Sequence, residues 1–106
     1  LGDCGITMQQ IHGQRLPEIG FHMKKSVWGQ GYATEAAKAC LAWGMQQTDF
    51  PAFYCYQKST NLPSRRVAEK LGMTLQEIYA DPVHTFTSVY AITRTEFFAK
   101  VQNALQ

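Results

Sequence analysis

SVWGQGYATEA, residues 26–36, sets Gly29 and Gly31 one residue apart and then turns into alanine-rich, helix-forming sequence. Glycine costs about 0.5–1 kcal/mol relative to alanine inside a regular element. A pair of them where a strand feeds a helix marks a place where something comes close to the main chain. Upstream, EIGFHMK (18–24) reads as a strand; downstream, from Gly31 to about Thr48, Ala33, Ala36, Ala37, Cys40, Leu41 and Met45 recur at helical spacing. AFYCY (52–56) is a short apolar, aromatic run of the kind buried on both faces of a sheet. Strand, helix and strand in this order make a crossover unit whose two strands are parallel neighbours.

The flanking sequence adds hairpins to that unit. CGITMQQI (4–11) alternates as a strand, and HGQRLP (12–17) supplies turn residues before the strand at 18–24. NLPSRRVAEKLG (61–72) is a punctuated helix, with Asn61 as N-cap, Pro63 in the first turn, Arg65 and Glu69 four apart, and Gly72 as the stop. MTLQEIY (73–79) and FTSVYAITR (86–94) form a closing hairpin across ADPVHT, and 95–105 is a short terminal helix. The expected fold is α/β (α+β): a mixed, mostly antiparallel sheet with one central parallel strand pair and helices on both faces.

Composition bounds the function. The 106 residues make one small domain, and 45% hydrophobic with 17% charged residues is globular. A net charge of +2, with Lys24, Lys25, Lys58, Arg65, Arg66 and Lys70 spread over several segments, is too weak for a nucleic-acid footprint but fits a small anionic ligand. Cys4, Cys40 and Cys55 are odd in number and lack CxxC spacing, so they read as reduced, buried thiols of a cytoplasmic protein, with no metal site. No apolar run reaches membrane-spanning length. The chain opens on Leu1 inside what already reads as a strand, so an upstream portion is expected.

In open α/β sheets, ligands bind beyond the carboxyl ends of the strands, and a helix N-terminus favours phosphate. The glycine stretch lies at such a junction. On geometry alone an anion cradle and a plain tight turn fit it equally. It is neither GxxxxGK[ST] nor GxGxxG.

The stretch does resemble the acyl-CoA-binding motif of the GNAT N-acetyltransferase superfamily, Q/R-x-x-G-x-G/A. Gly31 and Ala33 match its last two positions, and Trp28 stands where Gln or Arg is usual. The longer string EIGFHMKKSVWGQGYATEA resembles the ribosomal-protein-alanine N-acetyltransferase branch, and so does NLPSRRVAEKLGM further on. The resemblance covers nearly the whole chain and implies that residues 1–106 are the C-terminal part of a single acyl-CoA-binding domain, whose preceding strands and two helices are missing from it.

The family resemblance implies direct acetyl transfer from acetyl-CoA to a primary amine, with no covalent enzyme intermediate and no metal. It places the CoA diphosphate on the backbone of Trp28, Gly29, Gln30, Gly31, Tyr32 and Ala33, and the pantetheine arm along Phe21 and Met23. Asn61 would contact the pantetheine or its sulfur end, and Ser64 would donate to the departing sulfur. The tyrosine acid common in the family would fall at Ala68, so it is absent. An amine must lose a proton before attack. Glu18 is the first candidate to take it and His22, on the same strand face, the reserve, while a solvated strand-end carboxylate fits Glu18 as well. Asn61 and Ser64 also fit a simple helix cap. A CoA-binding or interaction module without catalysis is the alternative.

Trp43, Tyr32 and Met45 read as packing residues of the first helix; Phe53, Tyr54 and Tyr56 read as core, one of them a possible wall of the pantetheine slot. His12 and His84 read as surface residues. The acceptor is open among a protein N-terminal amine, a ribosomal protein, a polyamine, an antibiotic and an amino acid. An unpaired first strand would invite a homodimer or higher oligomer.

Overall fold

The computed structural model describes residues 3–11, 13–22, 30–80 and 86–104. They form β1 (Asp3–Ile11), β2 (Gln14–His22), α1 (Gln30–Gln47), β3 (Ala52–Lys58), α2 (Leu62–Lys70), β4 (Thr74–Ala80), β5 (Phe86–Thr93) and α3 (Arg94–Ala104). The strands make one five-stranded sheet in the order β1-β2-β3-β5-β4. β2 and β3 are parallel, and the other neighbours are antiparallel. The mixed, mostly antiparallel sheet expected from the element order is the one found; the described helices, expected on both faces, instead pack on one core cluster on a single face.

The first hairpin is tighter than its composition implies. Its register runs from Asp3 opposite His22 to Ile11 opposite Gln14, with Gly13 at φ 81° in the turn. Pro17, which reads as punctuation, lies inside β2 opposite Met8 and is fully buried. Pro17 and Ile19 are two apart and share the core face, so the ring's burial outweighs the ladder donor that proline lacks.

The core lies on one face of the sheet. α1 contributes Ala37, Leu41 and Met45, and α2 contributes Val67, Ala68 and Leu71; they meet Ile19, Phe53, Cys55, Tyr90 and Ile92 of the strands. Phe97 of α3 packs on the same cluster. Along β3 the buried residues are Phe53, Cys55 and Gln57, while Tyr54 and Tyr56 are half-buried on the opposite face. The AFYCY run is therefore sealed on one face only. In α1, Met45 is fully buried but Trp43 is 59% exposed, because two residues along a helix turn through about 200°. Trp43 lines an apolar groove of about 380 Å³ with Gly5, Ile6, Ala39 and Cys40. Gly44 lets α1 approach the sheet: a Cβ there would stand 2.7 Å from the Phe53 ring and 2.9 Å from Ile6 Cδ1.

Side chains and turns complete the helix ends. The Arg94 guanidinium donates to the carbonyl of Met45, an orphan acceptor in the last turn of α1, and to that of Phe50 in the loop that follows. At the end of α2, Met73 N–H donates to Ala68 O (3.1 Å) and Gly72 N–H to Glu69 O (3.0 Å), with Gly72 at φ 89°. That is a Schellman motif, and its left-handed position is why glycine stands there. α3 opens on a capping box: Glu96 N–H donates to Thr93 Oγ1 (3.1 Å), and Thr93 N–H donates to Glu96 Oε1 (2.9 Å). That bond holds the Glu96 carboxyl below the usual carboxylate range.

Candidate functional site

β2 precedes α1 and β3 precedes α2, so both helices follow the carboxyl ends of the parallel pair. The pair is joined at one position, Glu18 opposite Tyr54. Beyond it β2 continues to His22 and β3 to Lys58, and no further pairing joins them among the described residues. The sheet opens there.

The residues expected to hold the donor fall around this opening. Phe21 lies in β2, and Gln30, Gly31, Tyr32 and Ala33 form the first turn of α1, where N–H groups have no partner within the helix. Met23, Trp28 and Gly29 lie outside the described residues, as do His12 and His84. Thr34, next in the helix and not singled out by any motif, is 5% exposed, and its hydroxyl has no hydrogen-bond partner among the described residues.

Asn61 caps α2: Ser64 N–H donates to its Oδ1 at 3.3 Å. This places the Asn61 amide and the Ser64 hydroxyl on the same first turn. Pro63 pre-sets the backbone of that turn. Arg65 ties the turn down, donating from Nε to Tyr90 Oη at 3.1 Å and from Nη1 to Ser59 O at 3.0 Å. The Tyr90 hydroxyl donates in turn to Glu69 Oε2 at 3.0 Å. The i,i+4 pair read from the sequence is thus bridged by a tyrosine hydroxyl from β5. With its guanidinium engaged in this way, Arg65 is a structural residue. Tyr90 is 1% exposed and no local pattern pointed to it; only the sheet brings it under α2.

Glu18 sits half-buried on the face opposite the core, where Thr7 Oγ1 donates to its Oε1 at 3.5 Å. Tyr54 and Tyr56 stand on the same face with rings stacked, centroids 6.3 Å apart. The Tyr56 hydroxyl is buried and has no hydrogen-bond partner among the described residues. Burial first, then the charge of Glu18, raise its pKa, so it stays a phenol. Under the strand, burial and then Glu18 push the Cys55 thiol up to about 12, although Gln57 Nε2 donates to its sulfur at 3.6 Å. Cys55 is therefore a neutral packing thiol at ordinary pH. Thiolate chemistry needs a lowered pKa.

The family profile for the acetyltransferase (GNAT) domain matches residues 1–74. The chain belongs to the GNAT acetyltransferase family. It is 47% identical over 73 residues to the uncharacterized protein YkkB of Bacillus subtilis (strain 168), covering 69% of this chain and 42% of that protein. A solved GNAT-family acetyltransferase from Bacillus anthracis superposes with a TM-score of 0.73 at 28% identity, over 86% of this chain and 58% of that one. The ribosomal-protein alpha-N-acetyltransferase RimL, solved in complex with coenzyme A, shares the fold with a TM-score of 0.67 at 20% identity, over 74% of this chain and 47% of that one. The chain spans about half the length of these relatives. Ala68, where the family resemblance puts a tyrosine, is fully buried in the core cluster and offers no hydroxyl.

Proposed function

We propose that the protein is an acetyl-CoA-dependent N-acetyltransferase that moves the acetyl group directly to a primary amine. One observation carries this reading: the parallel pair opens beyond Glu18 and Tyr54, and both following helices begin at that end. An opening between two strands fits an extended pantetheine arm, because strand edges present N–H and C=O groups in the spacing an added strand needs. The unpaired N–H groups of the first turn of α1, with the partial positive charge of a helix start, fit a diphosphate. Residues 1–106 act in this reading as the C-terminal, donor-binding part of one domain.

The chain's own residues divide the work. The backbone of Phe21 and Met23 holds the pantetheine, that of Trp28 to Ala33 holds the diphosphate, and Asn61 offers its amide to the sulfur end. An N–H of this region stabilises the oxyanion as the amine nitrogen attacks the thioester carbonyl. Glu18 takes the proton the amine must lose, with His22 in reserve. The carbon–sulfur bond then breaks, and Ser64 donates its hydroxyl to the departing thiolate. A serine hydroxyl is a poor acid, but a thiol with pKa near 8.5 leaves tolerably as thiolate, so a hydrogen bond suffices. No step uses Cys55.

Buried Ala68 gives the second reading its one support: without the usual tyrosine, a CoA-binding module of the same fold need not turn over. Release of free thiol from acetyl-CoA by the full protein with a panel of primary amines separates the two. No release above the uncatalysed rate removes the enzyme. Calorimetry tests the cradle itself: Gly31→Val is expected to weaken CoA binding at least tenfold while Gln30→Ala changes it little, since lost charge-assisted bonds to phosphate are worth about 1.5–3 kcal/mol each. Normal CoA binding by Gly31→Val removes the cradle.

Assembly and location belong to the same reading. Within these 106 residues β1 is an edge of the sheet, and an edge strand templates pairing, so for this chain taken alone a homodimer or higher oligomer through β1 or an exchanged C-terminal hairpin is expected. A light-scattering mass of 12.0 kDa at every concentration overturns it. No helix of the described residues is long and apolar enough to cross a membrane, and the thiols fit a reducing cytoplasm.

A further inference from the structure

β4 lies at the opposite end of the sheet from β1, and six of its seven residues are exposed. Helix placement is the cause. α1 packs over β1 and β2, α2 over β3 and β5, and α3 over β5, which leaves β4 without a helix of its own. Leu75 stands opposite Tyr90 and Ile78 opposite Ser88, both buried residues of the helix-bearing face. Leu75 and Ile78 are three apart and would point to opposite faces of a regular strand. The register shift between Leu75 and Glu77 brings them to one side. Phe86, two residues before Ser88, extends the row on the same face. Leu75 is 44%, Ile78 46% and Phe86 57% exposed, so an apolar strip runs along an outer strand.

The strip lies past residue 74, where the match to the family profile ends. Outer strands are commonly blunted by lysine or proline, and β4, TLQEIYA, has neither. A bulge can also twist an edge away, but beyond this one Glu77 to Ala80 keep a regular register. Two copies of one antiparallel strand related by a two-fold axis set one residue opposite itself. With Glu77 at that position two carboxylates would face each other, which destabilises a cross-strand pair. With Tyr79 there, Ile78 would face only Ala80. With Ile78 there, Glu77 faces Tyr79 of the second copy, and the two isoleucines meet on the helix-bearing side. The axis then stands perpendicular to the sheet, so both apolar strips fall on the same side and join.

We propose that β4 pairs antiparallel with β4 of a second copy, in the register that sets Ile78 opposite itself. The stretch from Glu77 to Ala80 joins the two sheets into one of ten strands, and Leu75, Ile78 and Phe86 of each copy line the seam. This edge is distinct from β1, and the pairing does not depend on acetyl transfer. One short strand buries little beside the roughly 800 Å² per partner of a standard interface, so the dimer forms reversibly with concentration.

Light scattering over a concentration series tests it. The mass of the wild type is expected to rise from the 12.0 kDa monomer with concentration. Ile78→Lys is expected to weaken association about tenfold or more, because two ammonium groups would meet at the axis. Tm of the dilute protein is expected to hold in this variant, since Ile78 is exposed. Cross-linking reads the register. With oxidised glutathione as oxidant, Ile78→Cys is expected to form a disulfide with its own copy, because opposed Cα atoms lie about 4.5–5.5 Å apart, within reach of that bond. Leu75→Cys, on the same strip but away from the axis, is expected to stay at the background that the native thiols of the wild type set. A wild type that stays at 12.0 kDa, or an Ile78→Cys protein that cross-links no better than Leu75→Cys, overturns the proposal. So does an Ile78→Lys protein that associates as the wild type does, which would put the pairing at β1 or in an exchanged hairpin.

Discussion

The two faces of one sheet are used in opposite ways. On the helix-covered face every second residue of β3 is buried among apolar side chains, and the polar ones there are paired: Ser88 Oγ donates to Gln57 Oε1 at 2.6 Å, and Tyr90 both accepts and donates. On the other face, residues one step along the same strands include Glu18, Tyr54 and Tyr56, half-buried, with the Tyr56 hydroxyl unbonded among the described residues. Substitutions that cost stability should concentrate on the first face. Those that cost binding with little loss of stability should concentrate on the second.

The largest effect is expected at Phe53. It is fully buried and touches Gly44 of α1, so Phe53→Ala should cost about 3–5 kcal/mol in denaturant unfolding. A loss below about 1.5 kcal/mol would mean that the helix-covered face is not the core. Tyr90→Phe follows. It removes the hydroxyl joining Arg65 to Glu69 and should cost about 1.5–3 kcal/mol, as hydrogen bonds to charged groups do. Because Arg65 also holds Ser59, CoA affinity should fall as the first turn of α2 loosens. Calorimetry beside unfolding reads both.

Gly44→Ala tests how closely α1 approaches the sheet. Alanine favours the helix by about 0.5–1 kcal/mol, but its Cβ would crowd Phe53 at 2.7 Å, and overpacking costs about 1–3 kcal/mol. A net loss near 1 kcal/mol is expected, and a gain would place the helix further out. Alkaline pH probes the same face more gently. The folded-state pKa of Cys55, about 12, stands above the ordinary thiol value of 9.0, so its contribution is complete below pH 9 and is lost as pH rises through the folded value. Unfolding midpoints should fall between pH 9 and about 11, and less steeply in Cys55→Ala. The smallest change is expected across the sheet, where Tyr56→Phe should alter stability by no more than about 0.5 kcal/mol. A loss of 2 kcal/mol there would erase the contrast between the faces.

Local patterns carried most of the elements. The helical spacing of Ala37, Leu41 and Met45 is the buried stripe of α1, and Asn61, Pro63 and Gly72 cap, open and close α2 as residue chemistry requires. Where local signals competed with burial, burial prevailed: Pro17 looks like a turn, yet its ring is worth more inside β2. The Thr93–Glu96 box was present in the sequence as T-x-x-E, a signal that could have set the start of α3. The candidate site was legible only in part. Glu18, Asn61 and Ser64 stand out through motif spacing, whereas Tyr90 and Thr34 do not.

By itself the sequence determined which segments are strands and helices, where the helices end, and which family's motifs the chain carries. These depend on neighbours within a few residues, through propensity, capping and periodicity. Only the tertiary structure decided that all three described helices gather over one face, that Trp43 turns outward while Met45 is sealed, and that Tyr90 reaches Arg65 from 25 residues away. It alone set Tyr54 opposite Glu18 and left the strands apart beyond them. The reason is physical: strand alternation says that two residues share a face, but which face is covered, and what lies across from it, is settled by pairing between segments distant in the chain.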